Sequence, residues 1–283
     1  MKIRNFALLL ILGSFIACVS TDKKQTESEP ILEEQPSEIL EEKDDSARLR
    51  PEPLDKTVFS YLITDGEVEF DPRLAYNADE AQIFTGLYEG LFSYHPLSLE
   101  PVYAVAESYT VSEDKKTWTF NLREEARYVN GDPVEAKDFR NAWLSLLEPE
   151  REAPYSSLFD IIEGAYEYRT GRSSDSSEVR ILAEDEKTLV VHLNHPASFF
   201  PNMLCHYAFS PLHSSLLENE SSFNDGPILS NGPYFYGGRE DNKIRLQKNI
   251  AYWDEKNVAF KTIEICWAED GKEAAELWDS GHI

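Results

Sequence analysis

The most regular hydrophobic pattern lies near the middle of the chain. Trp118, Phe120 and Leu122 alternate with polar residues, which is the period-two pattern of a strand with one buried face. The Asn130-Gly131 pair that follows predicts a turn, since both residues tolerate positive φ. Apolar residues then recur at helical spacing and predict an amphipathic helix: Ala136, Phe139, Ala142, Trp143, Leu146 and Leu147. Strand, turn and helix form one local unit, which by itself suggests a structural role and no chemistry.

The same patterns predict elements on both sides of this unit. The run 57–64 is rich in β-forming residues and predicts the first strand of the folded part. A helix before the unit is predicted by a stripe of apolar residues: Ala81, Phe84, Leu87, Tyr88 and Leu91. Later strands are predicted by alternating apolar residues: Leu189, Val191 and Leu193; Ile244 and Leu246; Ile263, Ile265 and Trp267. A short helix is expected over 273–278, with Gly281 following its end.

The charge of the chain excludes one class of partner. Its 283 residues include 52 Asp and Glu against 27 Lys and Arg, for a net charge of -25. Phosphate binding needs clustered Lys and Arg, so nucleic acid is not an expected partner. The acidic surface chiefly favours solubility. The length suffices for a sizeable core in one or two domains.

The first residues have the pattern of an exported protein. Basic residues precede an apolar run too short to span a bilayer, which predicts a signal peptide over 1–17. Residues 15–18, Phe-Ile-Ala-Cys, resemble a bacterial lipobox with Phe in place of the usual Leu. This predicts acylation of the Cys18 thiol, palmitate included, and attachment to a membrane. An ordinary signal peptide with an incidental cysteine is the alternative. Residues 18–56, rich in Glu, Lys, Ser and Pro, predict a disordered acidic tether.

The cysteines and histidines form no recognisable catalytic or metal motif. His192 and His195 are three residues apart and would face opposite sides of a strand, so no metal site is expected. Cys205 and Cys266 could pair in an oxidising compartment or stay as free thiols. The sequence contains no P-loop, nucleophile elbow or zinc-protease helix. We therefore expect no enzymatic activity and no cofactor.

Three sequence motifs resemble those of a known family. The first reads SEDKKTWTFNLRE over 112–124 and VNGDPVEAKDF over 129–139. The second is Asn-Gly-Pro-Tyr at 231–234, followed by Tyr-Trp-Asp at 252–254. The third is WDSGHI at 278–283. Their order and spacing resemble the extracytoplasmic peptide-binding proteins of ABC transporters, solute-binding protein family 5. The resemblance extends from the predicted first strand to the last residue.

The resemblance implies an α/β fold of the periplasmic-binding-protein type, class II or cluster C, whose two lobes close over a ligand by a hinge. It implies a discontinuous first lobe formed by 57–77 and 209–283. An inserted subdomain over 78–208 would contain the first motif. The family's second lobe would be missing from this chain. Because that lobe forms the opposite wall of the cleft, we expect weak or undetectable peptide binding by this chain alone.

The resemblance also implies a function. Family members capture peptides outside the cytoplasm and deliver them to the permease subunits of an ABC transporter. Peptides, the permease and a membrane on the periplasmic side of the cell envelope are therefore the expected partners, with the lipid anchor as the membrane contact. One alternative is a surface lipoprotein that keeps one lobe as an interaction module without transport. Nickel, haem or oligosaccharide ligands, which occur among relatives, are a third interpretation.

The expected binding residues follow from the same resemblance. In the family, a segment just before an Asp-Pro pair lies in the cleft and pairs its backbone with the bound peptide. Here this implies main-chain contacts from Glu67, Val68 and Glu69, which precede Asp71-Pro72. Main-chain N–H and C=O groups are common to all peptides, so such pairing gives affinity without sequence choice. A plain exit from a strand, with solvated carboxylates, is the alternative.

Overall fold

The structure is a computed structural model that describes residues 57–283, apart from residues 65, 226, 269, 281 and 282. The predicted signal peptide, Cys18 and the tether lie outside the described residues, and so does Gly281. In the part of the chain that is described, no helix is long and apolar enough to cross a membrane.

The described residues contain ten strands and seven α-helices. The strands are β1 (Val58–Leu62), β2 (Phe92–Tyr94), β3 (Pro101–Tyr103), β4 (Ala106–Val111), β5 (Thr117–Leu122), β6 (Ile181–Ala183), β7 (Thr188–His192), β8 (Tyr234–Glu240), β9 (Lys243–Lys248) and β10 (Thr262–Cys266). The helices are α1 (Ala78–Leu87), α2 (Ala136–Leu146), α3 (Ala165–Arg169), α4 (Phe200–Met203), α5 (Ser214–Glu218), α6 (Ser222–Asp225) and α7 (Gly271–Asp279). Helix α7 confirms the helix predicted near the end of the sequence.

The strands form two four-stranded sheets and a hairpin. One sheet has the order β4-β5-β7-β6, with every neighbouring pair antiparallel. The other has the order β1-β10-β9-β8, in which β1 and β10 run parallel although they lie far apart in the sequence. Strands β2 and β3 pair as a separate two-stranded ribbon. The division into a discontinuous first lobe and an inserted subdomain stays a prediction.

The first motif folds as its hydrophobic pattern predicts. In β5, Trp118, Phe120 and Leu122 are buried while their neighbours are half-buried. Gly131 adopts a φ of +91°, which only the missing side chain makes easy, so the predicted turn is present. Every apolar residue of the predicted helical stripe is buried in α2 or at its end. Helix α2 packs on β6 and β7 and covers one side of the sheet.

Strand β7 differs from its predicted pattern. Alternation of Leu189 and Val191 predicts one buried face, but Val190 between them is also buried. Burial of Val190 means that both faces of β7 are covered, whereas β5, also an inner strand of this sheet, keeps its alternation. Leu193 is buried beyond the end of the strand. Trp267, which was predicted to share a strand with Ile263 and Ile265, likewise lies one residue beyond the end of β10.

Helix α1 ends before its predicted last residue. The stripe predicts a helix that reaches Leu91, yet α1 ends at Leu87, and Leu91 is buried in the connection to β2. The chain leaves the helix because Glu89 pairs its main chain with the side chain of Asn231, through bonds of 3.1 and 2.8 Å. Gly232 lies against the same turn, where a Cβ atom would come within 2.6 Å of the Leu87 carbonyl carbon. This close approach explains the Asn-Gly pair of the second motif.

The two cysteines are not bonded to each other. Cys205 and Cys266 are both free thiols, so the disulfide alternative is wrong. Cys266 is buried and Cys205 is half-buried, and burial raises the pKa of the Cys205 thiol to about 12. Neither thiol is therefore poised for nucleophilic chemistry.

Candidate binding groove

The predicted peptide-contact residues border an open groove. From Glu67 to Asp71 the chain runs without turn or bend between β1 and α1. The groove has a volume of about 360 Å³. Its walls come from this segment and from the first turn of α1: Thr64, Glu67, Val68, Asn77, Ala78, Asp79 and Glu80. The structure thus places Glu67 and Val68 in the groove wall, while Glu69 lies outside the lining.

A buried carboxylate joins the two walls. Glu80 lies in the first turn of α1 and is only 4% exposed. Its side chain accepts hydrogen bonds from the main-chain N–H groups of Glu69 at 3.2 Å, Tyr76 at 2.9 Å and Asn77 at 2.8 Å. A carboxylate at this position caps the orphan N–H groups of a helix start. Here it also fixes the segment against the helix.

Two further carboxylates continue this arrangement along the segment. Glu69 accepts a hydrogen bond from the N–H of Asp71 at 2.8 Å. Asp71 in turn forms a buried ion pair with Arg73, through Nε at 2.9 Å and Nη2 at 2.6 Å. Arg73 also donates to the Ser145 hydroxyl at 2.5 Å and contacts Glu220 at 3.0 Å. The segment is therefore attached to α2 as well as to α1.

Among the described residues, Val68 differs from Glu69 and Asp71 in having no main-chain hydrogen bond, a property that it shares with Phe70. Neither the N–H nor the C=O group of Val68 has a hydrogen-bond partner in the part of the chain that is described. In an extended chain, the main-chain groups of successive residues point to opposite edges. Because the N–H of Glu69 points to Glu80, the main-chain groups of Val68 point to the other edge. The half-buried side chain of Val68 packs against the core, so the exposed main-chain edge is held in place.

A glycine and a tryptophan fix the beginning of the segment. A Cβ atom on Gly66 would lie within 2.3 Å of the Trp267 ring, so only glycine fits there. The Trp267 ring also contacts Arg239, whose guanidinium carbon is 4.6 Å from the ring centroid. The first wall of the groove is thus supported from its start at Gly66 to its end at Asp71.

A second cavity lies farther along α1. It has a volume of about 290 Å³, and six of the fifteen residues that line it are Phe or Tyr. We call it the aromatic cavity; the rings that define it are Phe84, Tyr88, Phe92, Tyr94, Tyr207 and Tyr252. Two of these rings, Phe84 and Tyr207, pack on each other at 5.0 Å between centroids.

The wall of the aromatic cavity contains a buried acid. Glu89 is 7% exposed and accepts hydrogen bonds from the Tyr252 hydroxyl and, at 2.7 Å, from Trp253 Nε1. Arg123 stacks on the Trp253 ring at 4.0 Å. Burial raises the pKa of Glu89 to about 7, and the two hydrogen bonds and the Arg123 charge reduce this rise without cancelling it. This contact explains the Tyr-Trp pair of the second motif.

The histidines have local partners. His192 ends β7 and its Nδ1 lies 3.0 Å from the Thr117 hydroxyl. His195 lies beyond the strand, with its Nδ1 3.4 Å from the neighbouring carbonyl oxygen of Pro196. Among the described residues, no group of three or more His, Cys, Asp and Glu side chains is placed to hold a metal ion.

Comparison with known proteins identifies the family. Residues 100–283 match the model of the bacterial extracellular solute-binding proteins, family 5. The chain belongs to this family. It is 31% identical to the dipeptide-binding protein DppE of Bacillus subtilis, over 79% of this chain and 41% of that protein. It is 32% identical to the periplasmic oligopeptide-binding protein OppA of Haemophilus influenzae, over 76% of this chain and 40% of that protein.

Solved structures of family members confirm the fold. The substrate-binding domain of an oligopeptide ABC transporter from Bacillus anthracis superposes with a TM-score of 0.73 at 31% identity, covering 81% of this chain and 45% of the other. Peptide-bound OppA of Listeria monocytogenes gives 0.75 at 27%, covering 81% and 46%. The predicted α/β fold of the periplasmic-binding-protein type is therefore confirmed. The chain spans about two fifths of the length of the curated relatives it matches. The names of these relatives describe binding proteins.

Sequence reasoning missed the second wall of the groove. The motif resemblance pointed only to the segment before Asp71, whereas four of the seven lining residues come from the start of α1 and its N-cap. A signal was present, because Asn77 followed three residues later by Glu80 is the pattern of a capping box. That pattern predicts a helix start at this point. It does not reveal that Glu80 also reaches Glu69, which is a tertiary contact.

Proposed function

We propose that this chain captures peptides outside the cytoplasm as the solute-binding component of an ABC transporter and delivers them to the membrane permease. One observation carries this proposal: among the described residues, the main-chain groups of Val68 form an unpaired edge beside an open groove, while the N–H of the next residue, Glu69, is bonded to Glu80. Family membership and the relatives named as peptide-binding proteins support it.

The proposed mechanism is pairing between main chains. An extended peptide in the groove donates an N–H to the Val68 carbonyl and accepts from the Val68 N–H, as an added strand does. Of the three predicted contact residues, Val68 provides these bonds. Glu69 supports it through Glu80, and Glu67 contributes its side chain to the wall. Since every peptide has the same main chain, this contact alone does not select a sequence.

The affinity of this contact should be low. The groove is open, so water competes for every hydrogen bond and the local dielectric constant stays high. We expect a dissociation constant on the order of 1 mM, which corresponds to about 4 kcal/mol of binding free energy. No enzymatic step is part of the proposal.

Residue-resolved amide exchange tests the pairing. We expect a tripeptide at several millimolar to slow exchange of the Val68 amide measured by NMR, because the amide gains an acceptor. The Glu69 amide, which already donates to Glu80, should be protected equally with and without peptide. The matched control is the same tripeptide with N-methyl groups on its amides, since it has the same side chains but cannot donate to Val68.

The two peptides should differ clearly in how much they slow exchange of the Val68 amide. If the N-methylated tripeptide slows the Val68 amide as much as the parent does, the proposed pairing through two bonds, in which the peptide also donates to the Val68 carbonyl, is excluded. If neither peptide affects any amide at the groove, the proposed peptide capture by this chain is wrong.

We further propose that Cys18 is acylated and anchors the chain to a membrane. The basis is the lipobox-like sequence at residues 15–18, and a single acyl chain gives marginal membrane binding, so more than one chain is expected. The remainder up to residue 56 would act as a flexible spacer.

Metabolic labelling tests the anchor. In cells expressing the chain and fed an alkyne fatty acid, the wild-type protein should become labelled and sediment with membranes. The Cys18→Ser variant should lose both properties, because serine cannot form the thioether of a lipoprotein. Cys205→Ser is the matched control and should stay labelled. Equal labelling of the Cys18→Ser variant would show that another residue carries the lipid.

A further inference from the structure

The hairpin of β2 and β3 presents an apolar tip to the solvent. In the described part of the chain, five of the eleven large hydrophobic side chains that are exposed lie within residues 94–103. We call the connection between the two strands, residues 95–100, the hairpin tip. Its two leucines, Leu97 and Leu99, are 90% and 66% exposed. Exposed apolar side chains are ordinary when they occur singly, whereas a cluster of them indicates a contact surface.

Hydrogen bonds inside the hairpin tip give it a fixed shape. The N–H of His95 donates to the carbonyl oxygen of Glu100 at 2.8 Å, and the N–H of Leu99 donates to the carbonyl oxygen of His95 at 2.9 Å. Nδ1 of His95 accepts from the N–H groups of Leu97 at 3.3 Å and Ser98 at 3.2 Å. The Ser98 hydroxyl accepts from the N–H of Glu100 at 3.4 Å. The sixth residue of the tip is a proline, so every main-chain N–H of the tip has an acceptor within it.

Leu99 is an unexpected residue for its backbone conformation. Its φ is +57°, in the left-handed region that glycine and asparagine adopt with the least strain. A leucine at this position strains the backbone and also exposes an apolar side chain to water. A glycine would avoid both disadvantages. Since strained residues cluster at functional sites, the side chain of Leu99 points to a contact that uses it.

The chemistry of the hairpin favours a lipid surface over a protein partner. Because the N–H groups of the tip are all bonded, the tip can enter an apolar phase without carrying unpaired donors into it. Residues 92–104 include one charged side chain, that of Glu100, although 28% of all residues in the chain are charged. Tyr94 and Tyr103 lie on the strands behind the tip and are exposed, and tyrosine is typical of the boundary between lipid and water.

The charge of the chain specifies the kind of lipid. Residues 92–104 contain no lysine or arginine that could bind an anionic headgroup, and the chain as a whole has a net charge of -25. An anionic membrane surface would therefore repel the protein. The contact fits zwitterionic lipid, which the apolar side chains of the tip can enter without this repulsion.

We propose that the hairpin tip inserts its two leucines into the surface of the membrane to which the chain is anchored. The inference rests on the anchor proposed at Cys18. Two apolar side chains alone bind a bilayer weakly, because the area that they bury is small. An anchored chain holds them close to the bilayer at a high effective concentration, so that the weak contact becomes populated. The folded part thereby gains a second, oriented contact with the lipid.

Methyl NMR on lipid nanodiscs tests this contact. The full chain carrying Cys205→Ser, which leaves one other thiol that is buried, is coupled through Cys18 to a maleimide lipid in phosphatidylcholine nanodiscs. This attachment makes the test independent of acylation in cells. We expect nitroxide-labelled phosphatidylcholine to broaden the methyl signals of Leu97 and Leu99 more than those of Ile250. Ile250 is the matched reference, because it is 87% exposed and lies outside the hairpin.

A pair of charge substitutions completes the test. Leu97→Glu alters an exposed position and should remove the broadening of Leu99, because a carboxylate opposes entry of the tip into lipid. Ile250→Glu adds the same charge at a similarly exposed position and should leave Leu99 broadened.

Three outcomes would overturn the proposal. Broadening of Leu99 can persist in Leu97→Glu, or it can be no greater than that of Ile250 in the chain without either substitution. Leu97 and Leu99 signals that change with protein concentration before lipid is added would mean that a second copy of the chain covers the tip. A chain that takes up no fatty acid in cells, yet shows the expected broadening here, would contradict the anchor and support the lipid contact of the tip.

Discussion

Replacing Arg73 with alanine should lower the free energy of unfolding by about 3 to 5 kcal/mol, the largest loss we expect from a single charge removal in this chain. Arg73 and Asp71 are 2% and 3% exposed and form a bidentate ion pair. Without the guanidinium, the Asp71 carboxylate would remain buried with no countercharge. Arg73 also donates a hydrogen bond to Ser145 and forms an ion pair with Glu220. The contact between α2 and the segment that ends at Asp71 would therefore be lost as well.

Urea denaturation followed by circular dichroism measures this loss. Arg245→Ala is the matched control, because Arg245 also contacts two carboxylates, those of Glu240 and Glu264, but its side chain is 37% exposed. Exposed ion pairs contribute about 0 to 1 kcal/mol, so the control should be nearly neutral. If the two variants lose the same stability, the Arg73 pair is not the buried contact described above.

The Arg73 cluster illustrates what the sequence could and could not predict. The alternation in β5 and the stripe of α2 were predictable, since each pattern depends on residues close together in the chain. The partners of Arg73 were not, because Ser145 lies 72 residues away and only the folded chain brings them together. Burial of Val190 was unpredictable for the same reason, because it depends on what covers the second face of β7 in the folded chain.

The groove was predictable in part. The resemblance pointed to Glu67, Val68 and Glu69, and the structure places the first two in a groove wall. The resemblance did not show which of the three residues could pair with a peptide, because all three have the same main-chain groups. Only the contact between Glu69 and Glu80, eleven residues apart, identifies Val68 as the residue with a free edge. Their role in peptide contact stays a prediction until the Val68 amide is measured.

The largest pH effect that we expect from a single acid arises at Glu89. Its carboxyl is buried and its pKa is raised from the usual 4.5 to about 7, chiefly by burial. The folded state thus holds a proton on Glu89 at pH values where the unfolded state has released it. As pH rises from 4.5 to 7, folding must take up a proton that becomes increasingly scarce in solution, so stability falls. Each pKa unit corresponds to about 1.4 kcal/mol, so the change amounts to about 3 kcal/mol.

The measurement is a comparison with Glu89→Gln across pH. Glutamine resembles the protonated acid in shape and cannot ionise, so the variant lacks the dependence that Glu89 contributes. The unfolding free energy of the wild type minus that of the variant should therefore be largest near pH 4.5. It should decrease by about 3 kcal/mol by pH 7.5. The other charges that act on Glu89, those of Arg123 and Asp254, are present in both proteins, so the difference isolates the ionisation of Glu89.

Glu264→Gln provides a control of the opposite sign. Glu264 lies between Lys243 and Arg245, and its pKa is lowered despite partial burial because both cations stabilise its charged form. Its contribution is fully present above pH 4.5 and is lost only as pH falls below that value. The corresponding difference for Glu264→Gln should hence stay constant between pH 5 and 7.5, the range in which the Glu89 difference declines. A Glu89 difference that stays equally flat would mean that Glu89 is charged in the folded protein throughout this range, with the bonds from Tyr252 and Trp253 outweighing its burial.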